Sequence, residues 1–151
     1  MTKIEDKASL RLRATYPLWA SDKIRFKDLD RQDHVNNAVF ATFFETGRVQ
    51  YFRDSKLGLM APGETLVIGR IEIDFLSELR FPGTVDIGVR IASVGRSSFR
   101  MGEALFIGDR CAATAECVIV MMDTATRRAM PLTARIKEWL AEVQAMQPET
   151  P

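Results

Sequence analysis

The chain has 151 residues, 21 of them basic and 20 acidic, and a net charge of +1. That balance excludes nucleic acid or an anionic membrane surface as the main electrostatic partner. With 46% hydrophobic residues the chain can fill the core of one ordinary domain, and no apolar run is long enough to span a bilayer.

Residues 1–20 mix charge with Tyr16, Pro17, Leu18 and Trp19 and show no clear period, so they read as an N-terminal extension. Their acidic residues argue against an organelle transit peptide. Ile24, Phe26 and Asp28 alternate with Lys23, Arg25 and Lys27, which predicts a short strand. The stretch from Asp28 to Asn37 then gathers three carboxylates, the only histidine and two adjacent asparagines just ahead of an apolar helix. The first N–H groups of a helix have no intrahelical partner, and the helix dipole adds positive charge there. A carboxylate beside such a helix start can attack a carbonyl while the helix polarises it.

The helix is predicted over Asn37 to Asp54, with Asn36 or Asn37 as its N-cap. Val39, Phe40, Phe43, Phe44, Val49, Tyr51 and Phe52 cover more than one narrow stripe, so several sides of the helix should be covered. Gly47 costs about 1 kcal/mol relative to Ala, which close packing of the helix backbone on a sheet would offset. Gly58 and Pro62-Gly63 should end this segment.

Strands follow. Ile71, Ile73 and Phe75 alternate with Glu72 and Asp74, and Phe81-Pro82-Gly83 is a turn. Val85, Ile87, Val89 and Ile91 alternate with Asp86, Gly88, Arg90 and Ala92. Phe99 to Ile107 and Cys111 to Met122 read as two further strands joined at Gly108-Asp109. Ile136, Trp139, Leu140 and Val143 follow helical spacing near the end. Cys111 and Cys117 lie six apart, which on one regular strand gives them a common face and too great a separation for a disulfide. They read as small buried apolar residues. Free thiols and the lack of a secretory signal indicate a cytoplasmic setting. The order is α+β: one strand, one long buried helix, a run of antiparallel strands and a short terminal helix. A sheet that covers the helix must curl around it, and its open edges predict pairing with another copy.

These residues resemble the hot-dog fold thioesterases, the superfamily of 4-hydroxybenzoyl-CoA thioesterase and acyl-CoA or acyl-carrier-protein thioesterases. The resemblance runs from about Lys23 to Leu140. It lies in the Arg-Phe-x-Asp-x-Asp run, His34-Val35-Asn36-Asn37, Glu45, Ile73-Asp74-Phe75 followed by Leu79-Arg80-Phe81, Val94 to Phe99, and Ala113-Thr114-Ala115-Glu116. It implies a hot-dog domain over residues 21–146, after the extension 1–20 and before a flexible tail 147–151. Its antiparallel sheet would wrap around one long central helix, in homodimers or homotetramers with active sites at the dimer interface.

The resemblance also implies roles for particular residues. Asp30, the second acid of Asp-x-Asp, matches the catalytic carboxylate, nucleophile or general base. A thioester is open to such a group, because its carbonyl carbon is electrophilic and thiolate, with a pKa near ~8.5, leaves readily. The alternative for Asp30 is a turn or capping role. The Asn37 N–H matches the donor that polarises the carbonyl. His34 matches the histidine of the plant acyl-carrier-protein pattern Asp-x-Asn-x-His-x-Asn-Asn, although Gln32 stands where that pattern has Asn. It would orient Asp30 or water, or bond across the interface. Glu45 would be a second carboxylate for the water step, a partner of Arg48, or an interface residue. Arg96, Ser97 and Ser98 match a loop near bound CoA, with Arg80 and Arg100 as further cationic candidates. The implied substrate is an acyl-CoA or acyl-carrier protein, and no metal or organic cofactor is implied. The other readings are a hot-dog dehydratase or hydratase, whose Asp/His motif carries an Asn-Pro missing here, and a noncatalytic acyl-ligand module.

Overall fold

The computed structural model describes residues 6–54 and 60–146. The chain order is β1 (Leu18–Ile24), α1 (Asn37–Asp54), β2 (Glu64–Phe75), β3 (Gly83–Val94), β4 (Ser98–Ile107), β5 (Arg110–Asp123) and α2 (Ala134–Ala145). The strands form one antiparallel sheet in the order β1-β3-β4-β5-β2, wrapped around α1. This is the expected hot-dog arrangement.

Helix α1 has the predicted bounds. Asn36 is its cap: the side-chain oxygen accepts from Ala38 N at 3.0 Å, and the carbonyl accepts from Val39 N at 2.9 Å. Phe40, Phe43 and Phe44 are buried against the sheet. Gly47 is needed there, because a Cβ would sit 2.6 Å from Ile87 Cγ2 on β3. Gly58 and the tail 147–151 lie outside the described residues.

Helix α2 buries Ile136, Trp139, Leu140 and Val143, the predicted stripe. Thr133 caps it by accepting from Ile136 N at 3.4 Å, and Trp139 stacks on Tyr51 of α1 at 4.5 Å between ring centroids. The inner faces of β3 and β4 complete the core through Val85, Ile87, Val89, Phe99, Met101 and Leu105.

Three local expectations are corrected. The first strand starts at Leu18, inside the stretch read as an extension, and stops at Ile24, while Phe26–Asp28 is a 3-10 turn. The Asp28 carboxylate accepts from Arg25 N at 2.7 Å, a local bond that competes with strand pairing. Before β1, Tyr16 is buried on the outer face of the sheet, where Gly88 leaves room for its ring. Finally, Cys111 and Cys117 do not share a face. A register shift pairs Leu105 with Ala113 but Phe106 with Cys111, so one extra residue, Ala112, reverses the alternation. Cys117 points into the main core, and Cys111 packs outside with Tyr16, Ala104 and Phe106.

The edge strand β2 carries Ile68, Ile71 and Phe75 exposed to 48%, 36% and 53%. Their register opposite Ile119, Cys117 and Ala113 puts them on the core-facing side of the sheet. No other strand among the described residues covers this edge.

Candidate active site

The segment between the 3-10 turn and α1 is a small hairpin. Leu29 pairs with Val35, and Asp28 O accepts from Asn36 N at 2.8 Å. At its tip Asp30 N donates to His34 O at 2.8 Å, and Asp33 N donates to Asp30 O at 3.2 Å. Asp33 closes the turn with φ +59°, a left-handed conformation that Asp tolerates better than most residues. The Asp30 side chain joins in: Oδ1 accepts from Gln32 N at 2.8 Å and, over a longer 3.4 Å, from His34 N. Asp30 is therefore a turn residue, as one reading held. One carboxylate oxygen is used for that, and Oδ2 has no hydrogen-bond partner among the described residues. The carboxylate is half-buried.

The other limb of the hairpin runs directly into α1. Asn37 follows His34 by three residues, so its N–H lies at most about 10 Å of chain from the rung that carries Asp30. Asn36 has satisfied Ala38 N, and no acceptor among the described residues takes Asn37 N–H. A half-free carboxylate and an open helix donor thus stand on the two limbs of one hairpin.

The site also contains two residues beyond those singled out for catalysis. His34 Nε2 lies 2.6 Å from Glu78 Oε2, and Glu78 Oε1 accepts from Arg80 Nε at 2.9 Å and Nη2 at 2.8 Å. Val35 N donates to Leu79 O at 2.8 Å, so residues 78–80 line the hairpin. The Arg80 hydrogen bond, with smaller help from the charges of His34 and Arg110, holds the Glu78 carboxyl below the usual range. Arg80 was only one of several cations in the sequence, and Glu78 carried no signal beyond its i,i+2 spacing from Arg80.

Glu45 is exposed on α1, two turns or about 12 Å along the helix from Asn37. It does not pair with Arg48. Arg48 turns inward, and its Nη1 donates to Glu103 Oε2 at 2.9 Å and to Cys117 Sγ at 3.3 Å. Cys117 Sγ in turn donates to the same oxygen at 3.2 Å. Burial pushes the Glu103 carboxyl up to about 7 despite Arg48, and pushes the Cys117 thiol up to about 12.

Arg96 and Ser97 lie in the β3–β4 connection, and Ser98 opens β4. Arg96 is exposed, and its carbonyl accepts from Leu132 N at 2.8 Å. Strand β3 starts beside Arg80 and ends at this connection, so about 35 Å of strand separates the loop from the hairpin within one chain. Phe43 and Phe44 are fully buried core, whereas Phe40 meets the half-exposed Phe75 edge-on at 5.1 Å.

Residues 24–140 match the thioesterase-like superfamily. The chain belongs to that superfamily. A Bacillus subtilis (strain 168) protein, uncharacterized protein YsmA, is 30% identical over 122 residues, covering 78% of this chain and 80% of that one. A thioesterase from Thermus thermophilus, solved with coenzyme A and Zn, is 32% identical with a TM-score of 0.76 over 85% of this chain and 95% of its own. The PA5185 protein from Pseudomonas aeruginosa PAO1 is 27% identical with a TM-score of 0.79, over 88% and 95% of the two chains. Membership supports a thioesterase-type function, and thioesterases share the fold. Among the described residues no group of three or more His, Cys, Asp or Glu could hold a metal ion, and no helix is long and apolar enough to cross a membrane.

Proposed function

We propose that this protein hydrolyses an acyl-CoA to a free acid and CoA. The observation that carries the reading is the hairpin that holds Asp30, with one carboxylate oxygen unpartnered, on the limb opposite the open N–H of Asn37. The acyl carbonyl oxygen takes the Asn37 N–H, which stabilises the negative charge that develops there. Asp30 then bonds to the carbonyl carbon, the C–S bond breaks, and water cleaves the resulting anhydride. As general base, Asp30 instead takes a proton from the attacking water. The proton released in either route is available to the CoA thiolate.

The exposed core-facing residues of β2 support a homodimer paired along that edge. A two-fold partner is also what the CoA reading of Arg96, Ser97 and Ser98 requires, because that loop is remote from the hairpin of its own chain. Arg offers two parallel donors to a phosphate and Ser a hydroxyl. Glu45, on the exposed face of α1, is placed to act as a second carboxylate only toward what docks on that face. A carrier protein could present the same thioester, and the cytoplasm is the setting where either substrate is made.

Incubation of the purified protein with a panel of acyl-CoA thioesters and a thiol-trapping reagent tests the proposal directly. Release of thiol with at least one acyl chain is expected. Tight binding of the panel without thiol release would replace the enzyme with a ligand-binding module. Arg96→Ala should raise KM for acyl-CoA more than for a short thioester lacking the nucleotide, and equal effects would remove Arg96 from CoA binding.

A further inference from the structure

We infer that Glu78 is a positioning residue for this site: it holds the His34 imidazole by Nε2 and, through His34, the turn that carries Asp30. The inference rests on the thioesterase reading. Backbone atoms of His34 bond to Asp30 twice, N to Oδ1 at 3.4 Å and O to Asp30 N at 2.8 Å. Any shift of the His34 backbone therefore moves the carboxylate. Among the described residues the imidazole is the only part of His34 bonded from outside the turn, and Glu78 Oε2 holds it at 2.6 Å.

Glu78 is itself held on three sides. Arg80 bonds its Oε1 through both Nε and Nη2, and Arg110 Nη1 bonds its backbone carbonyl at 2.9 Å. Ahead of it, Leu76 N and Ser77 N both donate to Ala112 O on β5. The sheet thus reaches the hairpin twice, at its backbone through the Leu79 carbonyl on Val35 N and at the His34 imidazole through the Glu78 carboxylate.

Nε2 has one role at a time. Arg80 Nη2 also lies 3.1 Å from it, but a proton on Nε2 makes the Glu78 bond and leaves Arg80 to Glu78 Oε1. Glu78 stays ionised beside Arg80 and so accepts throughout the neutral range. In the neutral ring this leaves Nδ1 unprotonated and free to accept. His34 is 30% and Glu78 45% exposed, so the pair adds little to fold stability, and its consequence is orientation.

The test compares wild type, Glu78→Ala and Glu78→Gln in steady-state hydrolysis of the best acyl-CoA substrate. Glu78→Ala should lose about tenfold in kcat, the scale of a slightly misplaced reacting group, with KM within about twofold and an unchanged melting temperature. Glu78→Gln should recover most of the loss, because its amide oxygen still accepts from Nε2–H. Since the chain has a single histidine, ¹⁵N NMR reads one imidazole. At about pH 8 the wild type should show the Nε2-protonated tautomer alone and Glu78→Ala an exchanging mixture. A wild-type kcat in Glu78→Ala, a loss shared equally by KM, or an unchanged tautomer overturns the inference. If the wild type hydrolyses no thioester, the function reading fails, while the imidazole spectrum still decides the Glu78 contact.

Discussion

Two clusters in this molecule use the same parts and differ in access to water. Beneath α1, Arg48 bonds Glu103 with Cys117 as the third member, and Glu103 is 0% exposed. At the mouth of the hairpin, Arg80 bonds Glu78 with His34 as the third member, and all three side chains touch solvent. Burial dominates in the first: desolvation outweighs the Arg48 charge and lifts the Glu103 carboxyl to about 7. In the second, Arg80 dominates and lowers Glu78. The first cluster is held in place by the fold around it, with Glu103 and Cys117 closed off from solvent. The second is wet, weakly stabilising and attached by backbone bonds to a carboxylate with one free oxygen, which is why it is the candidate site.

The sharpest way to break the comparison is Asp30→Asn. Turnover should fall by roughly 10²–10⁴-fold, the range for a positioned acid–base group, with fold and oligomer intact. Near-normal turnover in the acyl-CoA assay would leave Asp30 with its turn bonds alone.

In the buried cluster, Arg48→Met should destabilise by about 3–5 kcal/mol, read from urea unfolding, because Glu103 is left buried without its cation. Replacing Glu103 by Leu in the same chain should restore much of that loss. A stability change below about 1 kcal/mol for Arg48→Met would mean that this pair behaves like a surface pair.

The pH dependence of stability separates the clusters further. Glu103 has a folded pKa of about 7, above its ordinary value of 4.5. Between these values the folded state binds more protons than the unfolded one, so stability falls as pH rises through that window and is flat above it. Glu103→Gln should lack this slope, so the difference between variant and wild-type unfolding midpoints should vary with pH across that window. A difference that does not vary with pH would place the Glu103 titration outside the window.

The smallest effect concerns the turn. Asp33→Gly should change stability by less than about 1 kcal/mol, since glycine takes φ +59° freely but adds unfolded-state entropy. A larger loss would show that the Asp33 side chain holds the hairpin.

Much of this was legible beforehand. The bounds of α1, the alternation in β3 and the buried stripe of α2 follow from periods of 3.6 and 2, and those periods held over many residues. The hairpin was legible as a dense polar run at a helix start. Phe26 and Asp28 misled because alternation over so short a run does not distinguish a strand from a capped turn. Glu103 could have been found, since it falls in phase with the buried Phe99, Met101 and Leu105 on the inner face of β4. Its partner could not: Arg48 is 55 residues away, and Glu45 stood three residues from Arg48 as the plausible choice.

By itself, the sequence determined which faces are apolar, where the central helix starts and stops, and which acidic segment precedes it. These are local, since each depends on side-chain period and on caps within a few residues. Only the tertiary structure decided which of several arginines meets which carboxylate, that one extra residue in β5 turns Cys111 away from Cys117, and that Glu78 reaches His34. Those outcomes depend on strand register and on how the sheet closes around α1, which bring together groups that no local spacing relates.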